Sequence, residues 1–316
     1  MQLSSVRALK QQIAAKMPFD TLSLADPTVP PLAMAKGVMR LNPRDYGLAL
    51  RVYEGKDQIA RQAVTFLTRY RREVHLVRGV RYRPHAAAAA GTLMSGISIG
   101  HPKITAGTLG GFVHDDDGVY VLSNNHVLAN SNRARPYDPI MAPGPSDLGA
   151  DRSYRVIGRL HRWMELREHA PAGLDAAIAR LAGGTKYQPS FVPGIGRVNR
   201  NPIDDRYAVH SVFKHGRTTQ LTHGVVAAFE IDDIIVNYGT AKQPRWLQFD
   251  NQLEFVGARN GDVFSQAGDS GSVIYDNDSR RPYALLFAGG QDGSGRDRTL
   301  GHFLPDVLAA LGVEML

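Results

Sequence analysis

The sequence predicts a mostly β protein: two packed β-barrels, preceded by a small α/β module and closed by a C-terminal helix. Three observations carry this reading. Glycine and proline are plentiful, at 32 and 18 of 316 residues, which suits a turn-rich β architecture better than a helical bundle. From Ile97 onward, short apolar runs rich in β-branched and aromatic residues recur between turn signals, the pattern of a sandwich or barrel. About 210 residues of such chain exceed one small barrel and suit two packed together.

The elements follow in order. Residues 18–43 lack periodicity and hold Pro18, Pro27, Pro30, Pro31 and Pro43, so they read as a loop or tether. Residues 46–53 alternate as a strand, and 56–72 place Ile59, Ala63, Phe66, Leu67 and Tyr70 at helical spacing. Residues 74–82 are strand-like again. This strand–helix–strand module buries little by itself and is expected to dock on the rest. His85, five alanines and Gly91 offer no large core side chain, so a boundary falls at 84–96. The strands expected beyond it span 110–113, 119–122, 176–181, 209–213, 224–229, 234–238, 253–256, 272–275 and 284–288. Residues 304–316 end the chain as a helix with Leu304, Val307, Leu308 and Leu311 on one face. The domains are therefore expected at 1–96 (basic extension and module), 97–186 (first barrel) and 187–316 (second barrel and helix).

Composition removes several function classes. The chain has no cysteine, which excludes a disulfide scaffold, a thiolate metal site and a thiol nucleophile, and favours a reducing compartment. It has no run of eighteen apolar residues, so no membrane span is expected. Residues 1–17 carry Arg7, Lys10 and Lys16 among apolar residues and lack the continuous run of a secretory signal. The protein reads as cytoplasmic. Residues 1–95 hold 15 Lys+Arg against 6 Asp+Glu, while the remainder holds 22 against 24. The basic character thus belongs to the N-terminal third, with Arg69, Arg71, Arg72, Arg78, Arg81 and Arg83 grouped together. Without an RNA-binding signature or interleaved aromatics, this reads as a solvated face, and nucleic acid is not the expected partner. An oligomer built through the basic module is compatible with the sequence.

Three short segments carry chemistry. Residues 120–127 form a strand that ends in Ser123, Asn124, Asn125 and His126; Asp175 heads the apolar run 176–181; Ser270 sits in the tight turn Gly268-Asp269-Ser270-Gly271. A serine hydroxyl is a weak nucleophile and needs a base such as histidine. A buried carboxylate fixes the imidazole tautomer, and glycines let backbone amides converge on the developing oxyanion. His126, Asp175, Ser270 and the Gly268 and Ser270 amides supply these parts. Asp138 and Asp151 are rivals for Asp175, but neither opens an apolar run. A Gly-x-Ser-x-Gly elbow is missing because Ser272 holds the second glycine position, and Gly194-Ile195-Gly196 lacks the third glycine of a dinucleotide loop. His114-Asp115-Asp116-Asp117-Gly118 reads as a hairpin turn rather than a cation loop. No cofactor and no metal are expected.

These segments resemble the signatures of trypsin/chymotrypsin-like serine peptidases, in the order His, Asp, Ser, with gaps of 49 and 95 residues. The resemblance covers roughly 97–312 and implies a double six-stranded β-barrel of the chymotrypsin type. Further segments resemble the intracellular, cysteine-free bacterial group that also includes the plant narrow-leaf protein: 99–101, 104–112, 216–219, and Phe264-Ser265 before the Gly-Asp-Ser. The resemblance implies a peptidase working on a protein or peptide substrate. Its role is expected to be either protein quality control or, since only a short helix is expected after the barrels, processing of a dedicated partner such as the effector product of an adjacent gene. It also implies a substrate pocket with Phe264 at its floor and Ala288, Gly289 and Gly290 in its wall. With no carboxylate at the floor position, a small-to-medium apolar residue is expected at the cleavage site, with His302 as a route to an acidic one. Secreted members are switched on when a new N-terminus pairs with the Asp here numbered 269. This chain is expected either to be competent without that cleavage or to be gated by its N-terminal module. A second reading, of another class, is a catalytically silent peptidase-fold binding module whose basic N-terminal region takes nucleic acid or an acidic partner. The complete set of three residues favours the enzyme.

Overall fold

The computed structural model describes residues 1–16, 34–53, 74–80, 92–150, 152–168, 171 and 173–316. The helix expected at 56–72, the alanine run, Asp151 and most of the arginine cluster lie outside the described residues.

Helix α1 (Leu3–Lys16) buries Val6, Leu9 and Ile13, the three-and-four spacing of one helical face. It packs on β1 (Met34–Asn42) and β2 (Asp45–Tyr53), an antiparallel pair, and β3 (Val74–Val80) adds on parallel to β2. Strand β1 corrects the expectation of a loop throughout 18–43. It buries Met34, Ala35 and Val38, but the alternation is masked because Lys36 is buried as well, in an ion pair with Asp233. Gly37 allows the close approach of the neighbouring strand, since a Cβ there would stand 2.5 Å from Ile231 Cγ1.

The first β unit holds β4 (Leu93–Met94), β5 (Ser98–Ile99), β6 (Gly107–Thr108), β7 (Gly111–Asp115), β8 (Gly118–Ser123), β9 (Pro139–Ala142), β10 (Arg155–Trp163) and β11 (Ala177–Leu181). Strands β7, β8, β11, β10 and β9 pair antiparallel in that order. The sheet curls back on itself: β9 reaches Gly100 through a bridge at Met141, β5 pairs with β6, and β6 leads into β7. The turn at 114–118 is a hairpin, with Asp115 Oδ1 accepting the Asp117 and Gly118 amides. The one-turn helix α2 (Asn125–Leu128) follows β8 directly.

Short ladders lead onward: β12 (Tyr187–Gln188) lies parallel to β4, and β13 (Phe191–Val192) pairs with β14 (Gly196–Arg197). Then come β15 (Ser211–Gly216), β16 (Gln220–Asp232), β17 (Ile234–Asn237), β18 (Trp246–Phe249), β19 (Gln252–Gly257), β20 (Val273–Asp276), β21 (Pro282–Gln291) and β22 (Asp297–Phe303). The order β15-β20-β21-β22-β19-β16, with β16 pairing back to β15, closes a six-stranded barrel. The fold is mostly β, as expected.

Strand β16 is 13 residues long. One end pairs with β15 and β19, and the other pairs with β1. The N-terminal strands therefore prolong the barrel sheet to nine strands. Charge reinforces the join. Arg51 of β2 grips Glu254 of β19 with both sides of its guanidinium, at 2.8 and 2.6 Å. Arg298 of β22 reaches Glu254 at 3.2 Å and Asp292 at 3.0 Å. These side chains are buried, a setting in which ions persist only when paired. Helix α3 (Leu304–Leu311) ends before the expected 316 because Gly312 takes a left-handed conformation (φ 61°, ψ 46°) and caps it. The freed tail forms β23 (Glu314–Met315) on β7 of the first unit.

Candidate active site

Strand register brings the first two residues together. In the antiparallel β8–β11 ladder, Ser123 faces Ala177. Residues just after 123 therefore lie beside those just before 177. His126 Nδ1 meets Asp175 Oδ2 at 2.5 Å, and the His126 amide donates to Asp175 Oδ1 at 3.1 Å. Helix α2 is itself anchored, with the Asn125 side chain donating to Met164 O at 2.6 Å and to Asn132 Oδ1 at 2.7 Å. The rival Asp138 bonds His101 instead, at 3.0 Å.

Asp175 is fully buried and held from every side. Its carbonyl accepts the Asn124 side-chain amide at 2.6 Å, its N–H donates to His302 Nε2 at 2.9 Å, and Oδ2 also accepts the Tyr238 hydroxyl at 2.5 Å. Burial alone would push this carboxyl up; the charge and hydrogen bond of His126 and the Tyr238 hydroxyl outweigh it and hold the group below the ordinary carboxylate value. An ionised Asp175 can only accept, so Nδ1 of His126 carries a proton. Among the described residues, Nε2 makes no hydrogen bond.

Ser270 lies in the turn between β19 and β20, where Gly268 and Gly271 have φ of +119° and +94°. At Gly271 a side chain is barred twice over, because a Cβ would also stand 2.2 Å from Ser123 Oγ. The turn is stitched to the first unit: Thr108 N donates to Ser270 O at 2.9 Å, and Thr108 Oγ1 donates to Gly268 O at 2.6 Å. Ser123, three residues before His126, bonds Thr108 O at 2.7 Å. The Ser270 hydroxyl donates to Phe287 O at 2.9 Å. The Phe287 ring stacks at 4.0 Å on His302, the residue that receives the Asp175 N–H. His126 and Asp175 thus touch directly, whereas Ser270 is linked to Asp175 through Phe287 and His302.

Asp269, beside Ser270, is also fully buried. Lys214 Nζ lies 3.4 Å from its carboxylate, the Thr219 hydroxyl donates at 2.6 Å, and the amides of Thr218, Thr219 and Gln266 donate at 2.9, 3.2 and 3.0 Å. Burial would push this carboxyl up, yet Lys214 and these donors hold it below its ordinary value.

The expected pocket residues separate. Phe264 is buried in the barrel interior against Phe255, at 5.9 Å between centroids. Ala288 is buried in a different cluster with Phe249 and Phe287. Gly289 and Gly290 continue β21 past the serine contact and pair with Thr299 and Arg298. The Phe264 and Ser265 amides donate to Asp297 at 2.9 and 3.3 Å, so a carboxylate stands behind the floor segment even though none occupies position 264. His302 is fully buried behind Asp175, and burial lowers it to about 3, so it is a neutral acceptor there.

Sequence reasoning did not find Tyr238, Lys214, Asn124 or Asp297. Lys214, a lysine inside an apolar strand, carried the clearest signal. The described residues contain no group of three His, Asp or Glu able to hold a metal, and no helix long and apolar enough to cross a membrane.

No family model and no curated protein matches the chain. Among solved structures it is similar to a glutamic-acid-specific serine protease that uses a histidine triad in substrate binding, at 17% identity and a TM-score of 0.49, over 71% of this chain and 100% of that one. It is similar to Thermobifida fusca protease A, at 13% identity and a TM-score of 0.48, over 72% of this chain and 99% of that one. It is also similar to Cellulomonas bogoriensis chymotrypsin, at 15% identity and a TM-score of 0.47, over 72% and 99% respectively.

Proposed function

We propose that this chain is a serine endopeptidase of the trypsin/chymotrypsin-like kind, cleaving a protein or peptide substrate through an acyl-enzyme. One observation carries the reading. His126 donates through Nδ1 to a buried, ionised Asp175 and keeps Nε2 unpartnered, at the same seam that holds the glycine-flanked Ser270. Ser270 is the nucleophile, His126 the base and Asp175 the group that orients it. Rotation of the Ser270 hydroxyl from Phe287 O to Nε2 starts the reaction. The proton passes to Nε2 as Oγ bonds the substrate carbonyl carbon, and the oxyanion faces the Gly268 and Ser270 amides. Collapse breaks the C–N bond, with the Nε2 proton going to the leaving amine; water then repeats the sequence to release the acid.

Asp269 already has Lys214 as its buried cation, which supports competence of the intact chain without a cleavage step. The absence of cysteine supports the intracellular cysteine-free group and a cytoplasmic setting. For specificity we retain a small-to-medium apolar residue before the cut; with Phe264 and Ala288 in separate buried clusters, Gly289 and Gly290 of β21 remain as its wall. The buried Asp297 behind Phe264 gives Lys or Arg as the competing outcome.

Incubation with a peptide library, read by mass spectrometry, tests both. Cleavage after apolar residues that vanishes in Ser270→Ala and His126→Ala supports the proposal; a Lys/Arg profile moves the specificity to Asp297. No cleavage by folded wild-type protein, with steeply salt-dependent nucleic-acid binding in its place, would leave the silent binding module.

A further inference from the structure

We propose that Tyr238 is a positioning residue of the catalytic apparatus: its hydroxyl shares Asp175 Oδ2 with His126 and so sets both the aim of the carboxylate and the charge it offers the imidazole. The inference rests on the peptidase reading of His126, Asp175 and Ser270.

Two donors meet at one oxygen. His126 Nδ1 and Tyr238 Oη each stand 2.5 Å from Asp175 Oδ2, while Oδ1 takes the His126 amide. Short bonds to an ionised acceptor are the strong kind, and two of them, with the longer amide bond at 3.1 Å, leave the carboxylate one orientation. The Tyr238 ring meets the His126 ring edge-on, 5.8 Å between centroids at 78°. A phenylalanine would fill that space equally well; the oxygen adds only the bond to Asp175. Burial, together with the Asp175 charge, pushes the phenol well above its ordinary value, so it remains a donor wherever the enzyme works.

The tyrosine also ties the two halves of the molecule together. It follows β17 in the hairpin completed by β18, and both strands come between barrel strands β16 and β19 in chain order. Its own N–H donates to Arg245 O at 2.8 Å, and Asn237 Oδ1 accepts the amides of Gly239 and Arg245 at 2.8 and 3.0 Å. From the same hairpin tip, Arg245 reaches Glu168 at 2.5 Å and Ser131 O at 3.2 Å, both in the first unit. Asp175 belongs to that unit too. A rigid tip from the second unit thus fixes the carboxylate that orients the base in the first. Sharing Oδ2 also draws off part of the negative charge that would otherwise act on the imidazolium alone.

The test is Tyr238→Phe in the full chain. The expected result is a kcat about tenfold lower with KM within about twofold. The acid limb of kcat/KM should move about half a pH unit higher, because an unshared carboxylate holds the protonated ring more tightly. The downfield Nδ1 proton resonance of His126, read without substrate, should move further downfield. Wild-type kcat, acid limb and resonance in Y238F would overturn the proposal, even if the unfolding midpoint drops, because packing alone would then explain the residue. If wild-type protein cleaves nothing, the peptidase reading fails, and the proton resonance still decides whether Tyr238 acts on the His126–Asp175 bond. If Y238F does not fold, wild-type protein decides. A slowly exchanging hydroxyl proton with a nuclear Overhauser contact to the Tyr238 ring supports the proposal, and its absence overturns it.

Discussion

Two buried aspartates flank the candidate site, and they are held ionised by different means. Asp269 is matched by the ammonium of Lys214, a hydroxyl and three amides. Asp175 is given an imidazole, a phenol and an amide, and neither ring is a permanent cation. Burial works against the Lys214 ammonium and Asp269 works for it, and together with the hydroxyl and amides the pair fixes the turn that carries Gly268 and Ser270. The second meets its carboxylate with two rings and an amide, none of them a lysine or an arginine. A carboxylate meant to lock backbone is neutralised in advance, whereas one meant to stabilise a transient imidazolium is not.

Three single substitutions and one double variant probe that contrast. Asp175→Asn should have the largest effect, a fall in kcat of about four orders of magnitude with the fold retained. The amide removes the charge and no longer selects the tautomer, and kinetics with a matched unfolding curve checks both. Lys214→Met should act mainly on stability. It strands Asp269 in the interior, at a cost of about 3–5 kcal/mol by urea unfolding. The double variant Lys214→Met/Asp269→Asn should be less damaged than the single; equal damage would mean that the charge pair is not what locks the turn. The most gradual effect is in the pH dependence of stability. Unfolded His302 binds a proton below about pH 6.5, but buried His302 does not until about 3. The unfolded state therefore holds more protons across that window, and stability falls as pH drops, by up to about 1.4 kcal/mol per pH unit. Asp175 and Asp269, both depressed, add their losses lower still, as pH falls from the ordinary carboxylate value through their folded ones. His302→Gln keeps an acceptor for the Asp175 N–H and should flatten the upper part of the slope; an unchanged slope there would assign it elsewhere.

What could be read in the sequence was what is local. His126 after a strand, Asp175 heading an apolar run and Ser270 between glycines each carry their signal within a few neighbours. The alternating strands around them do the same. What stayed hidden depends on partners far along the chain. Tyr238 is 63 residues from Asp175, at the end of an apolar strand where it looks like core. Lys36 and Lys214 are buried because Asp233 and Asp269 meet them, so β1 reads as irregular and β15 as interrupted. Strand β22 is buried throughout although its sequence opens Asp-Arg-Thr; Arg298 finds Glu254 and Asp292, and Asp297 takes two amides. The expected C-terminal helix was overextended because its apolar periodicity continues past Gly312, whose backbone ends it.

The central claim is that Ser270 is made nucleophilic by His126. Treatment with a fluorophosphonate, followed by intact mass and peptide mapping, tests it most directly. The account predicts a single adduct on Ser270 that is lost in Ser270→Ala and strongly slowed in His126→Ala. Folded wild-type protein that takes no adduct, or labelling that persists in the His126 variant at the wild-type rate, would contradict it.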